Sequence, residues 1–461
     1  MHDQVKTRSR REIPAVSKVL DALGPYDFSR PVIIDLVRRE LATIRAKAEI
    51  PEFESIVDSV RRSLANLRAT RLQPVINGTG IVIHTNLGRA PLAPEAIRAL
   101  TEIGPAYSNL EYDLVTGERG RRGAYIENAL ALLCGAESAT VVNNCAAALV
   151  LIVHHFTRAQ GRARRSEVLI SRGEIVQIGG GFRISEIIEA AGARLRDVGA
   201  TNRTALSDYA KAIGQNTALI LKVHRSNFFM DGFVESPSST AIAALARKKR
   251  VPFVEDLGSG AIVPTERLGL AEHEPTPAEA LKDGAGLVCF SGDKLFGGPQ
   301  AGIIAGKKRF VAALKREPLF RALRCDKLVF AALQATIDLH LDQSGGIPAI
   351  ALLQVPEEEL RARAAAIVDR LAGVPGRIAI GCGTVKVGGG TLPKSTMSSV
   401  TIDIVPQNCS LADFAARLRA SNPPVIGYIA NARFKLDLRT IFPQQDEPVV
   451  AALRAACANT I

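Results

Sequence analysis

The sequence has no tryptophan, and only 5% of its 461 residues are aromatic. Stacking of bases on aromatic platforms is therefore not its expected way of holding nucleic acid. Cysteines are few and dispersed: the seven, at 134, 145, 289, 325, 382, 409 and 457, form no CxxC pair. Such a set argues for reduced thiols, and against a disulfide frame or a zinc site. The seven histidines are scattered as well, so no bound metal is expected. No apolar run approaches membrane-spanning length. The opening MHDQVKTRSRREIPAV lacks the apolar core of a signal peptide, and a cytoplasmic location is expected. Acid is in deficit: 46 Asp and Glu against 58 Lys and Arg leave a net charge of +12. That excess suits polyanionic partners, because each neutralised phosphate releases counterions. A generally basic enzyme would carry the same excess.

The length allows two or three domains. Residues 1–75 read as a helical domain: PVIIDLVRRELATIRAKAEI and FESIVDSVRRSLANLRATR both space apolar residues by three and four, with arginines on the other face. From 76 to 330, strand-like runs alternate with helical ones. SATVV, EVLISRG, ALILKVH, PFVEDLG, GLVCFSG and AGIIAGK are continuous apolar runs of the kind that buried parallel strands require. The expectation is an α/β core with a mainly parallel central sheet. Residues 331–461 read as a connecting helix and a small α+β C-terminal domain.

The chemistry concentrates at strand ends. In LVCFSGDKLFGGPQ, Lys294 sits between an apolar strand and a turn of Gly297, Gly298 and Pro299. A sheet that fixes the amine, and glycines that admit close approach, suit a lysine that forms a Schiff base. Ser291, three residues earlier, suits a cofactor phosphate. An isolated SGDK is more often a surface lysine at a strand end. Two further signals change that balance. VEDLGSG ends a strand in Asp256, a carboxylate able to keep a pyridine nitrogen protonated, although an Asp there is as often a helix cap or a metal ligand. VVNNCAAALV leads from a strand through Asn143 and Asn144 into a helix whose free N–H groups suit a phosphate, or form an ordinary cap. Strand–cap–helix, then strand–Asp, then strand–Ser–x–x–Lys is the layout of fold-type-I enzymes that use pyridoxal 5'-phosphate.

The chain resembles the bacterial selenocysteine synthase family, the L-seryl-tRNA(Sec) selenium transferases. The motifs that carry the resemblance include INGTGIVIHTNLGRAPL, LEYDLVTGERGRRG, SRGEIVQIGGGFRI, VEDLGSGA, SGDKLFGGPQAGII, RALRCDK and PPVIGYIANARFKLDLRTI. The resemblance implies a fold-type-I pyridoxal phosphate transferase that β-eliminates the serine hydroxyl of seryl-tRNA(Sec) to aminoacrylyl-tRNA, then adds selenium from selenophosphate. Lys294 would be the base, with Asp293 orienting it or holding a turn. Arg89, Arg321 and Arg324 would grip selenophosphate, since fixed guanidinium groups suit a small multiply charged anion. Positions 321 and 324 are expected on one helical face. His224 would pack over the cofactor ring, or be an ordinary core histidine. The resemblance further implies tRNA binding by the N-terminal arginines Arg38, Arg39, Arg45, Arg61, Arg62 and Arg68, contacts from Arg119, Arg121 and Arg122 to the tRNA end or active site, and self-association into a large homo-oligomeric ring.

Four positions depart from the family pattern: Cys145 for a third asparagine, Gln177 for an acid, Arg225 for threonine and Tyr428 for arginine. They bear on local contacts, not on Lys294 or Asp256. Two other readings remain at this level. One is a pyridoxal phosphate lyase acting on a free amino acid or sugar acid; the other is a non-catalytic tRNA-binding protein on the same fold. The N-terminal helices and the RALR arginines speak against the first, and intact Lys294 and Asp256 against the second.

Overall fold

The computed structural model describes residues 13–47, 49–158, 165–343 and 345–458. Most of the opening segment MHDQVKTRSRREIPAV lies outside them. The chain forms two compact units: one extends to Val75 and includes Ala420–Pro424, and the other holds Ile76–Arg419 and Val425–Ile461.

The first unit is built on three helices, Val16–Leu23, Arg30–Arg45 and Phe53–Thr70. The second starts with a proline in its first turn, where the missing N–H costs nothing. Its buried Val37, Leu41 and Ile44, and Ile56, Val57, Val60 and Leu64 of the third, follow the spacing of one helical face. The stripes meet in one core with Val19 and Leu23. Arg38, Arg39, Arg45, Arg61, Arg62 and Arg68 are all exposed. Arg39 pairs with Asp35 and Arg61 with Asp58. Among the described residues, Arg38, Arg45, Arg62 and Arg68 make no ion pair.

The second unit is centred on a seven-stranded sheet: β1 (Ser138–Val142), β2 (Glu167–Ser171), β3 (Arg194–Val198), β4 (Thr217–Val223), β5 (Phe253–Gly258), β6 (Leu287–Ser291) and β7 (Gly302–Gly306). Their spatial order is β1-β7-β6-β5-β4-β2-β3. Alternate residues enter two cores on opposite faces: Ile220, Phe253, Val288 and Phe290 on one, Leu219, Leu221, Val254 and Cys289 on the other. Burial on both faces is why these strands read as unbroken apolar runs.

One strand departs from expectation. AGIIAGK forms β7, and it runs antiparallel to both neighbours, β6 and β1. Only residues 292–301 separate it from β6, and a parallel return needs a crossover of a dozen or more residues.

After the helices Lys327–Asp342, Pro348–Gln354 and Glu357–Arg370, the chain makes a long hairpin of Arg377–Gly388 and Thr391–Val405. Arg433–Asp437 and Tyr428–Ala430 extend it on one side, and Ile81–Ile83 joins the other edge in parallel. No helix among the described residues is long and apolar enough to cross a membrane.

Candidate active site

Asp256 and Lys294 meet at the carboxyl edges of β5 and β6, where open α/β sheets present their binding groups. Asp256 pairs in register with Cys289 on β6 and Val223 on β4. The turn after β6 carries Lys294, and the next residue ties it back to β5 by Leu295 N–H donating to Ser259 O, 3.0 Å. Gly258 has φ +68°, a left-handed conformation suited to glycine. A Cβ there would stand 3.9 Å from Lys294 Nζ and 3.5 Å from Ser226 Oγ. The absent side chain therefore leaves room beside the amine.

Asp256 is half-buried. Burial pushes its pKa up from the ordinary carboxylate value, while the Lys294 charge and the Cys145 thiol pull it down. Cys145 Sγ donates to Asp256 Oδ1 over 3.6 Å. Cys145, Cys289 and Asp256 hold their ligand-type atoms within 4.8 Å of one another. The Cys289 thiol is raised well above its ordinary pKa, by its hydrogen bond with Cys145 and by burial. The Cys289 thiol thus stays protonated and acts as a donor rather than a nucleophile.

The phosphate end of such a site is built by the helix Cys145–Thr157. Asn144 is its N-cap and accepts from Ala147 N, 2.8 Å. Ala148 N takes Asn144 O, so the N–H groups of Cys145 and Ala146 are left for an anion. The turn is pressed against β7: a Cβ on Gly302 would meet Asn144 O at 2.1 Å. Asn143 N–H is already used, donating to Leu323 O at 2.9 Å. Ser291, the buried last residue of β6, pairs with Gly302. His224 follows β4, its N–H donating to Asp256 O at 2.8 Å, and its Nε2 lies 3.3 Å from Oε1 of the buried Glu274. These residues fit pyridoxal phosphate: a desolvated carboxylate, an amine beside a glycine turn, and unclaimed N–H groups at a helix start.

Arg89 Nη1 lies 2.6 Å from Asp293 Oδ2, and Ala90 N–H donates to Asp293 O. The structure therefore brings Lys294, Asp293 and Arg89 together. Asp293 Oδ1 is buried with no hydrogen-bond partner. Arg324 is held differently, 3.4 Å from Glu111 Oε1, a carboxylate that also binds Arg122 at 2.7 Å and Arg119 at 2.9 Å. The Arg122 guanidinium, first among these, holds Glu111 below the usual carboxylate range. Arg122 also donates to Cys325 O. Arg121 pairs instead with Glu127.

The shared helical face expected for Arg321 and Arg324 is not formed. The helix Pro318–Ala322 ends before 324. Leu323 O is claimed by Asn143, and Asp326, extended as the N-cap of the next helix, accepts from Leu328 and Val329 N–H. Arg321 is exposed on the short helix. Arg38, Arg39, Arg61 and Arg62 belong to the other unit. Of the four departures, Cys145 does bear on Asp256, against expectation, because it opens the helix Cys145–Thr157 and donates to that carboxylate; Gln177 is exposed in a small hairpin with Arg183, Arg225 follows His224, and burial raises the Tyr428 phenol to about 12.

Four contributors went unseen in the sequence. Cys289 and Ser226 lie within ordinary apolar and loop contexts and gave no signal. Glu274 reaches His224 from a distant loop. Glu111 shares its motif with Asp113 and Glu118, so nothing in the sequence singles it out as the partner of Arg324.

Residues 75–442 match the family described as SelA, L-seryl-tRNA selenium transferase. The L-seryl-tRNA(Sec) selenium transferase of Carboxydothermus hydrogenoformans is 43% identical over 449 residues, covering 94% of this chain and 95% of that protein. That of Hyphomonas neptunium is 43% identical over 440 residues, covering 93% of each. Among solved structures, D-glucosaminate-6-phosphate ammonia-lyase superposes with a TM-score of 0.59 at 22% identity, over 84% of this chain and 96% of that one, a likeness of fold. With the family model and near-full-length relatives in agreement, the chain belongs to the L-seryl-tRNA selenium transferase family.

Proposed function

We propose that this protein converts L-seryl-tRNA(Sec) to L-selenocysteinyl-tRNA(Sec) in the cytoplasm, using pyridoxal 5'-phosphate and selenophosphate. The observation that carries this reading is the Lys294 amine placed beside Asp256 at one sheet edge, in a chain of this family. Lys294 would hold the cofactor aldehyde, Asp256 its ring nitrogen, and the Cys145–Ala146 N–H groups with Ser291 its phosphate. His224, placed by Asp256 O and Glu274, would lie against the ring. When bound, this cofactor acts as an electron sink that makes the seryl α-proton acidic and lets the β-hydroxyl leave.

The protein's own groups do the rest. Lys294 Nζ takes the α-proton, and its amine is positioned by the β6 turn rather than by a flexible loop. Asp293 fixes Arg89, whose guanidinium, with those of Arg321 and Arg324, would hold selenophosphate against the β-carbon. Glu111 orients Arg324. Exposed Arg38, Arg39, Arg61 and Arg62 would track the tRNA backbone, with Arg119 nearer the charged end. Exposed Tyr107, Leu114, Val115 and Phe233 on the larger unit support self-association into a homo-oligomer.

The test is the visible absorption of the purified protein loaded with pyridoxal phosphate, before and after adding seryl-tRNA(Sec), with free serine as control. A lysine-dependent band, absent in Lys294→Ala and perturbed only by the charged tRNA, is expected. A band perturbed by free serine but not by seryl-tRNA(Sec) would instead mean a lyase of small substrates.

A further inference from the structure

At the opposite, amino-terminal edge of β5 and β6 lies a second cavity, of about 720 Å³. Phe253 at the start of β5, Gly286 just before β6 and Lys307 just after β7 line it. Phe253 and Asp256 are three residues apart on one strand, so the cavity begins about 10 Å from the catalytic edge. Five cationic side chains reach it: Arg247, Arg250, Lys307, Arg309 and Arg316. No Asp or Glu lines it. Among the described residues none of the five makes an ion pair. The nearest acid along the chain, Glu317, is already committed to His155 at 2.8 Å and Arg158 at 2.9 Å.

Local energetics explain only half of this charge. Arg247, Lys248 and Lys249 end the helix Ser239–Lys249, where cations complement the helix dipole. Lys307, Lys308 and Arg309 instead stand at the start of the helix Lys308–Leu314, where cations oppose the dipole and one another. The Glu137 carboxylate, accepting from Lys308 N–H at 2.9 Å beside Lys307 and Arg309, offsets part of that cost; an anion bound among the five cations would offset the rest. The floor is not polar. Phe310 and Pro252 line it, with Phe310 edge-on to Phe156 at 5.2 Å and the Arg309 guanidinium 4.6 Å above the Phe310 ring. With Arg309 and Phe156 already against the Phe310 ring, what the cavity presents is its cluster of cations, which matches phosphate.

We propose that this cavity binds the phosphate backbone of the tRNA substrate, held by Lys307, Arg309 and Arg247. The proposal rests on the transferase reading above. Its place at the far edge from Lys294 assigns it backbone in the body of the RNA, not at the aminoacylated end. It would thus act as a second handle on the substrate, distinct from the N-terminal arginines.

The test compares two full-length, cofactor-loaded triple variants with the wild type: Lys307→Ala/Arg309→Ala/Arg247→Ala, and a control removing equal charge elsewhere, Lys211→Ala/Lys282→Ala/Arg377→Ala. Binding of seryl-tRNA(Sec) is measured by anisotropy across a salt series. The cavity variant should bind at least about tenfold more weakly, with a salt slope smaller by about 0.9 for each phosphate it no longer neutralises. The control should change by no more than about twofold, as screened surface charges do. Equal behaviour of the two variants overturns the proposal. Retained cofactor absorption and melting temperature report that the variant is folded. Should it fail to fold, photo-cross-linking of wild type to tRNA carrying 4-thiouridine decides: a cross-linked peptide containing 307–316 supports the site, and its absence overturns it. Binding of free AMP without competition by tRNA would overturn the RNA assignment in favour of a small nucleotide. A wild type that does not bind seryl-tRNA(Sec) at all would overturn the transferase reading itself, an outcome visible without any variant.

Discussion

Arg89 Nη1 and Asp293 Oδ2 are 2.6 Å apart, with the arginine 38% and the aspartate 9% exposed. The buried carboxylate beside Lys294 therefore holds the half-exposed guanidinium that would meet the selenium donor. Arg89 itself has φ +69°, rare for a side chain of this kind. Its loop is thus shaped to deliver one guanidinium to Asp293, and the ion pair offsets the backbone strain.

Arg89→Ala should raise the KM for selenophosphate about tenfold or more, the scale of one hydrogen bond to a charged group. Asp293→Asn keeps the shape and a weaker bond, so its effect should be smaller and also fall on KM. Steady-state kinetics with selenophosphate varied at saturating seryl-tRNA(Sec) checks this. An Arg89→Ala enzyme with unchanged KM and lowered kcat would mean that the pair positions Lys294 and not the donor.

The thiol beside Asp256 leads to a pH prediction. Burial raises the Asp256 pKa, and the hydrogen bond from Cys145 lowers it. Cys145→Ala removes a donor to the ionised form, so the carboxylate should protonate at higher pH. The acidic limb of the cofactor's visible absorption should move upward in Cys145→Ala and stay in place in Cys145→Ser, which keeps a donor. Superimposable titrations of wild type and Cys145→Ala would show that the thiol does not bear on Asp256.

How far the site was readable depends on what each residue needed. Lys294, Asp256 and Asn144 were legible because each closes a strand or opens a helix, and apolar runs buried on both faces announce such strands. The direction of β7 was not, since an apolar run reads the same either way; only the shortness of the connection distinguishes them. Arg321 and Arg324 suggested a helical face by spacing alone, but the Asp326 cap required an extended chain there. Glu111 and Glu274 were illegible as partners because Arg324 and His224 lie far away in sequence. The strand Arg377–Gly388 is hidden among its glycines, although its exposures largely alternate as a strand's do.

Gly302 makes the phosphate end depend on a missing side chain. A Cβ there would meet Asn144 O at 2.1 Å, backbone against side chain, with nothing flexible to yield. Gly302→Ala should push the Asn143–Cys145 turn off β7 and weaken retention of pyridoxal phosphate by about tenfold or more, while Lys294 still reacts with the cofactor at high concentration. Titrating the apo-protein with pyridoxal phosphate measures it. An affinity equal to wild type would mean that the helix start does not hold the phosphate.

Glu174 offers a stability test away from the reacting groups. It follows β2, is 6% exposed, and its Oε2 accepts from Val223 N–H at 3.1 Å, just before His224. Burial pushes its pKa up from 4.5 to about 7, against the Val223 N–H and the charges of Lys222 and Arg225. An acid whose folded pKa is raised binds its proton more tightly when folded, so folding is favoured at low pH and loses that advantage as pH climbs from about 4.5 to about 7. The full loss is on the order of 3 kcal/mol. Glu174→Gln stays neutral throughout and keeps an oxygen for Val223. Other acids titrate over the same range, so the quantity to follow is the difference in melting temperature between wild type and variant. That difference should grow in the variant's favour from pH 5 to 7 and level off above it. A constant difference across the range would mean that Glu174 is solvated or already charged in the folded protein.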